Sequence, residues 1–283
     1  MPPRVQNGLS VDVEEWFQVG AFEKVIDKAD WPTLESRVES NTGAVLDLFD
    51  AAGVKGTFFT LGWVGERAPR LIRRIVDAGH EIASHGWDHQ RVFTMTVDQF
   101  RADLARTRDV LEQAGGAAVT GYRAPSFSID TRTPWAHPVL AEAGYRYSSS
   151  IAPVVHDHYG WPEAPRFAFQ PLHDCDLIEL PVTTAVLGGR NLATGGGFFR
   201  LLPAAFSHWA FRQVNGAGHP AVFYFHPWEV DPYQPRVAEA PLRSRLRHYS
   251  RLGAMAGKLD RLCRSFAWTR IDRVVETEAA RLP

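Results

Sequence analysis

Short apolar runs alternate with amphipathic stretches along most of this chain. Residues 8–13 show a buried-strand pattern that ends in acidic residues, and residues 54–61 form a β-branched and aromatic run of the same kind. Further strands are predicted over 81–84, 119–122, 145–148, 177–182 and 221–225. Helical spacing over 35–52 aligns Val38, Val45, Leu46 and Phe49 on one face, and Gly53 follows as a stop residue. A second helix is predicted over 69–78, with Pro69 in its first turn and Gly79 past its end. A third runs over 96–114, from Thr96 as N-cap to Gly115-Gly116, with others near 138–143 and 202–214. Strands alternating with helices predict a parallel sheet, and this many units predict closure into a barrel.

In such barrels chemistry collects at the C-terminal ends of the strands. Asp12, His85, Arg123 and His226 each fall at or just after the end of a predicted strand. Two regions break the repeat. Residues 150–176, with Pro153, Pro162, Pro165 and Pro171, predict a long ordered loop; residues 241–283 predict basic helices packed outside the barrel. The glycine-rich stretch 188–200 reads as a turn or sugar-contact loop where backbone closely approaches a neighbour, with a phosphate cradle as the alternative.

Composition narrows the classes. The chain has 283 residues, 45% hydrophobic and 22% charged, which is globular and long enough to bury a large core. Lys plus Arg total 31 against 32 Asp plus Glu, so nothing invites nucleic acid. Cys175 and Cys263 are far apart, and two buried unpaired thiols are expected. No apolar leader precedes the first strand, and no run approaches the roughly 20 apolar residues of a membrane span. A cytoplasmic protein is therefore expected.

Four segments carry candidate chemistry. In Ser84-His85-Gly86-Trp87-Asp88-His89 two histidines stand four apart; on a helical turn both imidazoles would reach one cation. Core or surface histidines are the plain alternative. Asp12-Val13-Glu14-Glu15 sets three carboxylates after a buried strand, costly unless they bind a cation or move protons. Residues two apart on a strand point the same way, so Asp12 and Glu14 address one site while Val13 packs inward. Glu15 suits a solvated strand end. Arg123, within Gly121-Tyr122-Arg123-Ala124-Pro125, either pairs with a carboxylate or makes a surface salt bridge. His226 closes the apolar run Phe223-Tyr224-Phe225 and suits either a general acid or a structural role.

Taken in order, these segments resemble four of the five motifs of the polysaccharide deacetylases, carbohydrate esterase family 4 (the NodB-homology domain), with Tyr147-Ser148-Ser149-Ser150 where the remaining motif belongs. The wording Ser-Val-Asp-Val-Glu-Glu-Trp-Phe, Gly-Gly-Gly-Phe-Phe-Arg and His-Pro-Trp-Glu is similar to the subgroup found in exosortase-linked exopolysaccharide gene clusters. The family's first motif has two adjacent aspartates, whereas Val13 follows Asp12 here. The base role therefore goes to Asp12 and the ligand role to Glu14, with Glu15 as the alternative ligand.

The resemblance implies an α/β fold, a distorted (β/α)7 barrel, as one domain over 1–283 with its core at about 8–230 and a helical extension over about 231–283. It implies a divalent metal, zinc, held by Glu14, His85 and His89. Asp12, oriented by Arg123, would be the base and His226 the acid. Pro125 or Ser126 would supply an oxyanion contact. Trp228, with Trp87, Phe127, Trp161 and Phe198, would stack on sugars. The implied substrate is an N-acetylated poly- or oligosaccharide, in exopolysaccharide biosynthesis. Two alternatives stay open: hydrolysis of small C–N amides on the same fold, or an inactive carbohydrate-binding protein. A zinc protease is disfavoured because no Glu follows His85.

Overall fold

A computed structural model describes residues 5–156 and 159–282 of the chain; Met1–Arg4, where no apolar leader was expected, lie outside the described residues. Ten strands occur among them: β1 (Gln6–Val13), β2 (Thr57–Thr60), β3 (Glu81–Ser84), β4 (Gly121–Tyr122), β5 (Tyr147–Ser148), β6 (Ile178–Glu179), β7 (Thr184–Leu187), β8 (Arg190–Ala193), β9 (Val222–Phe225) and β10 (Ala267–Thr269). β9, β1, β2, β3, β4, β5 and β6 are hydrogen-bonded side by side in that order, and each pairing is parallel. Helices, chiefly Val38–Ala52, Pro69–Asp77, Val97–Gly115, Ala136–Glu142 and Ala204–Gly216, surround this curled sheet. The seam between β6 and β9 is bridged by Thr183, whose N–H donates to the Val222 carbonyl at 3.1 Å and whose hydroxyl accepts from Val222 N–H at 2.7 Å. The result is the expected distorted (β/α)7 barrel.

A two-residue period divides the strands between two cores. Leu9, Val11, Val13, Phe58, Phe223 and Phe225 join the cluster between sheet and helices. Phe59, Ala83, Tyr147, Val222 and Tyr224 form the cluster inside the barrel. Val13 thus packs outward against the helices, not into the barrel. Ser10 and Asp12 take the opposite phase of β1 and point inside.

Helix ends follow their predicted signals. Thr96 and Gln99 form a reciprocal capping box at the start of Val97–Gly115, and Gly116 closes it at φ +64°. Other elements were not legible. A hairpin joins β7 and β8 through Gly188 and Gly189, both at positive φ, as a tight two-residue turn requires. A helix at Gly196–Leu201 follows, where a turn was expected. The close approach predicted there is real: a Cβ on Gly195 would lie 2.5 Å from the Tyr224 ring. Cys263 is buried, but Cys175 is only half-buried; both are free thiols, and burial pushes the Cys263 thiol up to about 12.

The C-terminal region is more than an external appendage. Its β10 pairs with the start of β1, and Trp268 joins the outer core. Ile271 is fully buried in the inner cluster, and its N–H donates to Thr57 Oγ1 at 2.7 Å. No described helix is long and apolar enough to cross a membrane. Ile271→Ala is expected to lower stability by about 2–5 kcal/mol, the usual cost of truncating a buried Ile, measured by urea unfolding. A loss below about 0.5 kcal/mol, typical of surface changes, would mark the region as peripheral.

Candidate active site

At the C-terminal ends of the strands the inward phase continues into the loops. Asp12 lies in the last pleat of β1 and Glu14 just past it, His85 follows β3, Arg123 follows β4 and His226 follows β9. Asp12, Glu14, His85, His89 and His226 line one cavity of about 330 Å³. Ligand atoms of Glu14, His85 and His89 all lie within 4.8 Å of one another.

Arg123 organises one wall. Its guanidinium is fully buried and donates to Asp12 Oδ1 at 2.7 Å, to Ser10 Oγ at 2.7 Å, and to the Ser149 carbonyl and hydroxyl at 3.0 and 2.9 Å. It also packs on the Phe59 ring at 4.1 Å. The surface salt-bridge alternative therefore does not hold. The serines after β5 are braced in turn, because Glu179 Oε1 accepts from the N–H groups of Ser150 and Ile151. Tyr147 lies inside the barrel and donates to Glu81, away from the cavity.

The two histidines converge for a reason other than a helical turn. Residues 85–91 form no helix; Gly86 stands at φ +74° and His89 at φ +60°, so a left-handed loop brings both rings together. Their ring centroids are 5.6 Å apart. The Trp87 N–H in this loop donates to Asp103 at 3.0 Å. His85 Nδ1 sits 2.8 Å from the Arg123 carbonyl, which accepts its N–H and leaves Nε2 as a lone pair toward the cavity. Burial drives the His85 imidazole down to about 4, so it is neutral at pH 7.

Glu14 is buried and anionic. Burial pushes its carboxyl up, but His89, His226 and His85 outweigh that and hold it at about 2. Trp228 Nε1 donates to Oε1 at 3.0 Å, whereas Oε2 has no hydrogen-bond partner, although His89 Nε2 is 3.0 Å away. A buried carboxylate oxygen without a donor, facing two imidazoles, is the donor set that a divalent cation completes. Glu15 is differently employed. It is fully buried and accepts from Ser36 Oγ and from the N–H groups of Arg37 and Val38, which caps the start of helix Val38–Ala52. It is neither solvated nor among the converging ligand atoms.

His226 stands across the cavity. Its Nδ1 bonds Glu229 Oε1 at 2.9 Å and its Nε2 is 3.7 Å from Glu14 Oε1. Burial alone would lower this imidazole; Glu14 and Glu229 reverse the effect and hold it at about 9. Glu229 is fully buried, and Arg200 Nη1 lies 3.5 Å from its other oxygen. Sequence reasoning gave Glu229 no role; its position three residues after a strand-ending histidine, in a short helical turn, was the available signal.

Trp228, expected to meet a sugar, lines the cavity. Its indole stacks on His226 at 5.2 Å and on His248 at 4.2 Å, which ties it to both neighbours. Pro125 is buried behind the cavity wall, while Ser126 and Phe127 line it in left-handed conformations at φ +54° and +48°. Such backbone is held at a cost of order 1–3 kcal/mol per residue and is typical of functional sites. Phe198, 39% exposed, lines the cavity, whereas Trp87 and Trp161 do not.

Residues 26–148 match the family model for polysaccharide deacetylase, and residues 149–276 match a domain of unknown function (DUF3473). The site straddles both: His85, His89 and Arg123 lie in the first stretch and His226 in the second, while Asp12 and Glu14 precede them. Peptidoglycan deacetylase from Helicobacter pylori is 31% identical over 107 residues, 38% of this chain and 36% of that protein. The chain thus spans about a third of the length of that relative. A solved Mycobacterium smegmatis protein assigned as a polysaccharide deacetylase shares the fold at TM-score 0.64 and 21% identity, over 100% of this chain and 94% of that one. A family 4 acetyl xylan esterase from Clostridium thermocellum, solved with a cobalt ion, aligns at TM-score 0.50 and 16% identity, covering 99% and 93%.

Removing the buried cation should be costly. Arg123→Ala is expected to destabilise by about 3–5 kcal/mol, because Asp12 is left buried and unpaired. Urea unfolding of Arg123→Ala beside the Asp12→Asn/Arg123→Met double variant checks this. The double variant should recover part of the loss; equal stability of all three chains would contradict the pairing.

Proposed function

We propose that this cavity hydrolyses the N-acetyl groups of amino sugars in a polysaccharide, a reading supported by the match of residues 26–148 to the polysaccharide deacetylase model. The observation that carries this reading is the convergence of Glu14, His85 and His89 between a braced carboxylate, Asp12, and a cationic imidazole, His226. A divalent ion held by those three residues, zinc by the two-imidazole, one-carboxylate donor set, supplies Lewis acidity for an acetyl carbonyl and lowers the pKa of water toward about 7.

The chain's own groups do the rest. Arg123 holds the Asp12 carboxylate at the cavity wall through a 2.7 Å hydrogen bond, and there Asp12 takes a proton from the attacking water. His226, protonated at neutral pH and held by Glu229, gives a proton to the departing amine nitrogen, so the C–N bond breaks to an amine and acetate. The N–H of Ser126, turned by its left-handed backbone, is the donor assigned to the developing oxyanion. Phe198 at the rim is the aromatic best placed to meet a sugar face. A second cavity of about 350 Å³ shares Val19, Gly20 and His89 with the first, which suits a glycan extending past the reacting residue. Exopolysaccharide is the proposed source of that glycan, on the motif wording of the chain, and the domain is proposed to act as one unit over its whole length.

Metal analysis of purified variants checks the donor set. Glu14→Ala, His85→Ala and His89→Ala should each lose bound divalent metal, while Glu15→Gln keeps it and instead loses stability at the helix cap. Metal retained by Glu14→Ala and lost by Glu15→Gln would reverse the assignment.

The pH profile tests the acid. His226 is raised above the ordinary value of 6.5, so its protonated form persists at pH 7 and is lost as pH rises through about 9. The rate kcat/KM for an N-acetylated oligosaccharide should therefore fall on the alkaline side, and Glu229→Gln should move that limb to lower pH. An unmoved limb would remove Glu229 from the tuning of His226. In His226→Ala the loss should fall on kcat far more than on KM.

A further inference from the structure

Helix Leu242–Tyr249 lies beside the mouth of the cavity, which its Arg247 and His248 help to line. Leu242 and Leu246, one turn apart on this helix, are 67% and 59% exposed. Exposed arginines, Arg243 and Arg245, flank them. From 241 to 251 the chain carries the exposed Arg243, Arg245, Arg247 and Arg251 and no acidic residue, Glu239 being the nearest acid before this stretch and Asp260 the nearest after it, although the whole protein has a net charge of -1. The neighbouring helix Gly196–Leu201 adds the partly exposed Phe198 and Leu201 at the same mouth, and Arg200 Nη2 donates to the Arg247 carbonyl, which ties the two helices together.

Exposed leucines set among cations of one sign match the interface of an anionic bilayer. The aliphatic tips enter at headgroup depth while guanidiniums meet lipid phosphates. A protein partner is a poorer fit, because stable interfaces bury about 800 Å² per partner with charge depleted at the centre. Two leucines on one short basic helix offer neither. We propose that this face docks on an anionic phospholipid surface and sets the cavity mouth against it. The docking claim rests on the patch alone; the proposed deacetylation enters only in what the cavity would do once there.

Co-sedimentation of the full chain with vesicles tests the idea, using equal parts phosphatidylglycerol and phosphatidylcholine against phosphatidylcholine alone. Partition should favour the anionic vesicles by about tenfold or more and weaken with added salt. Leu242→Ser/Leu246→Ser and Arg243→Ala/Arg245→Ala should each reduce it by about tenfold, with acetate release from a short soluble oligosaccharide unchanged. No binding to either vesicle, or anionic binding that both double variants retain, overturns the proposal. So does a dimer, seen by light scattering without vesicle binding, that the leucine variant dissolves. Vesicle binding with no acetate release would leave docking intact and count only against the deacetylase reading.

Discussion

One buried guanidinium ties the mouth of this barrel together. Arg123 has no exposure to water, and Asp12, Ser10 and Ser149 surround its guanidinium with the acceptors that offset its burial. The same residue fixes His85 through its backbone carbonyl. A base candidate and a ligand candidate, carried on different strands, are thereby referenced to a single residue. Because Arg123 follows β4 in the inward phase, the geometry is a consequence of strand period and strand order, with no flexible element involved.

Electrostatics then separate the remaining groups by role. Burial alone would neutralise every one of them. Glu14 stays anionic because three imidazoles face it, His85 stays neutral, and His226 stays cationic because two carboxylates hold its proton. Environments that push titratable groups apart in this way are how one cavity supplies an acid and a base at the same pH. Trp228 links the two sides, bonding Glu14 through its indole N–H while stacking on His226. A residue that lines the cavity is thus also part of the frame that holds the charges.

Much of this was legible in the sequence because the site residues obey the same period as the core. Asp12 stands near the end of a buried strand and His85, Arg123 and His226 directly follow one, and buried strands announce themselves by composition. What stayed hidden depends on long-range partners. The loop that folds His89 onto His85 needs left-handed backbone at a non-glycine residue, which no local pattern signals. Glu15 looked interchangeable with Glu14 until a distant helix start claimed it. β10 is three residues long, too short to show alternation, and becomes a strand only because the start of β1 offers an unpaired edge. The deacetylase match stops at residue 148, yet strands and site residues come from both sides of that point, so the barrel is complete only with the region beyond it.

The central claim is that Glu14, His85 and His89 form a cation site on which hydrolysis of an N-acetyl group depends. Its most direct test is acetate release from chitin oligosaccharides by protein stripped with a chelator and then titrated with zinc. The account predicts no release from stripped protein and full recovery at one equivalent of metal per chain. Undiminished release after complete stripping would contradict it.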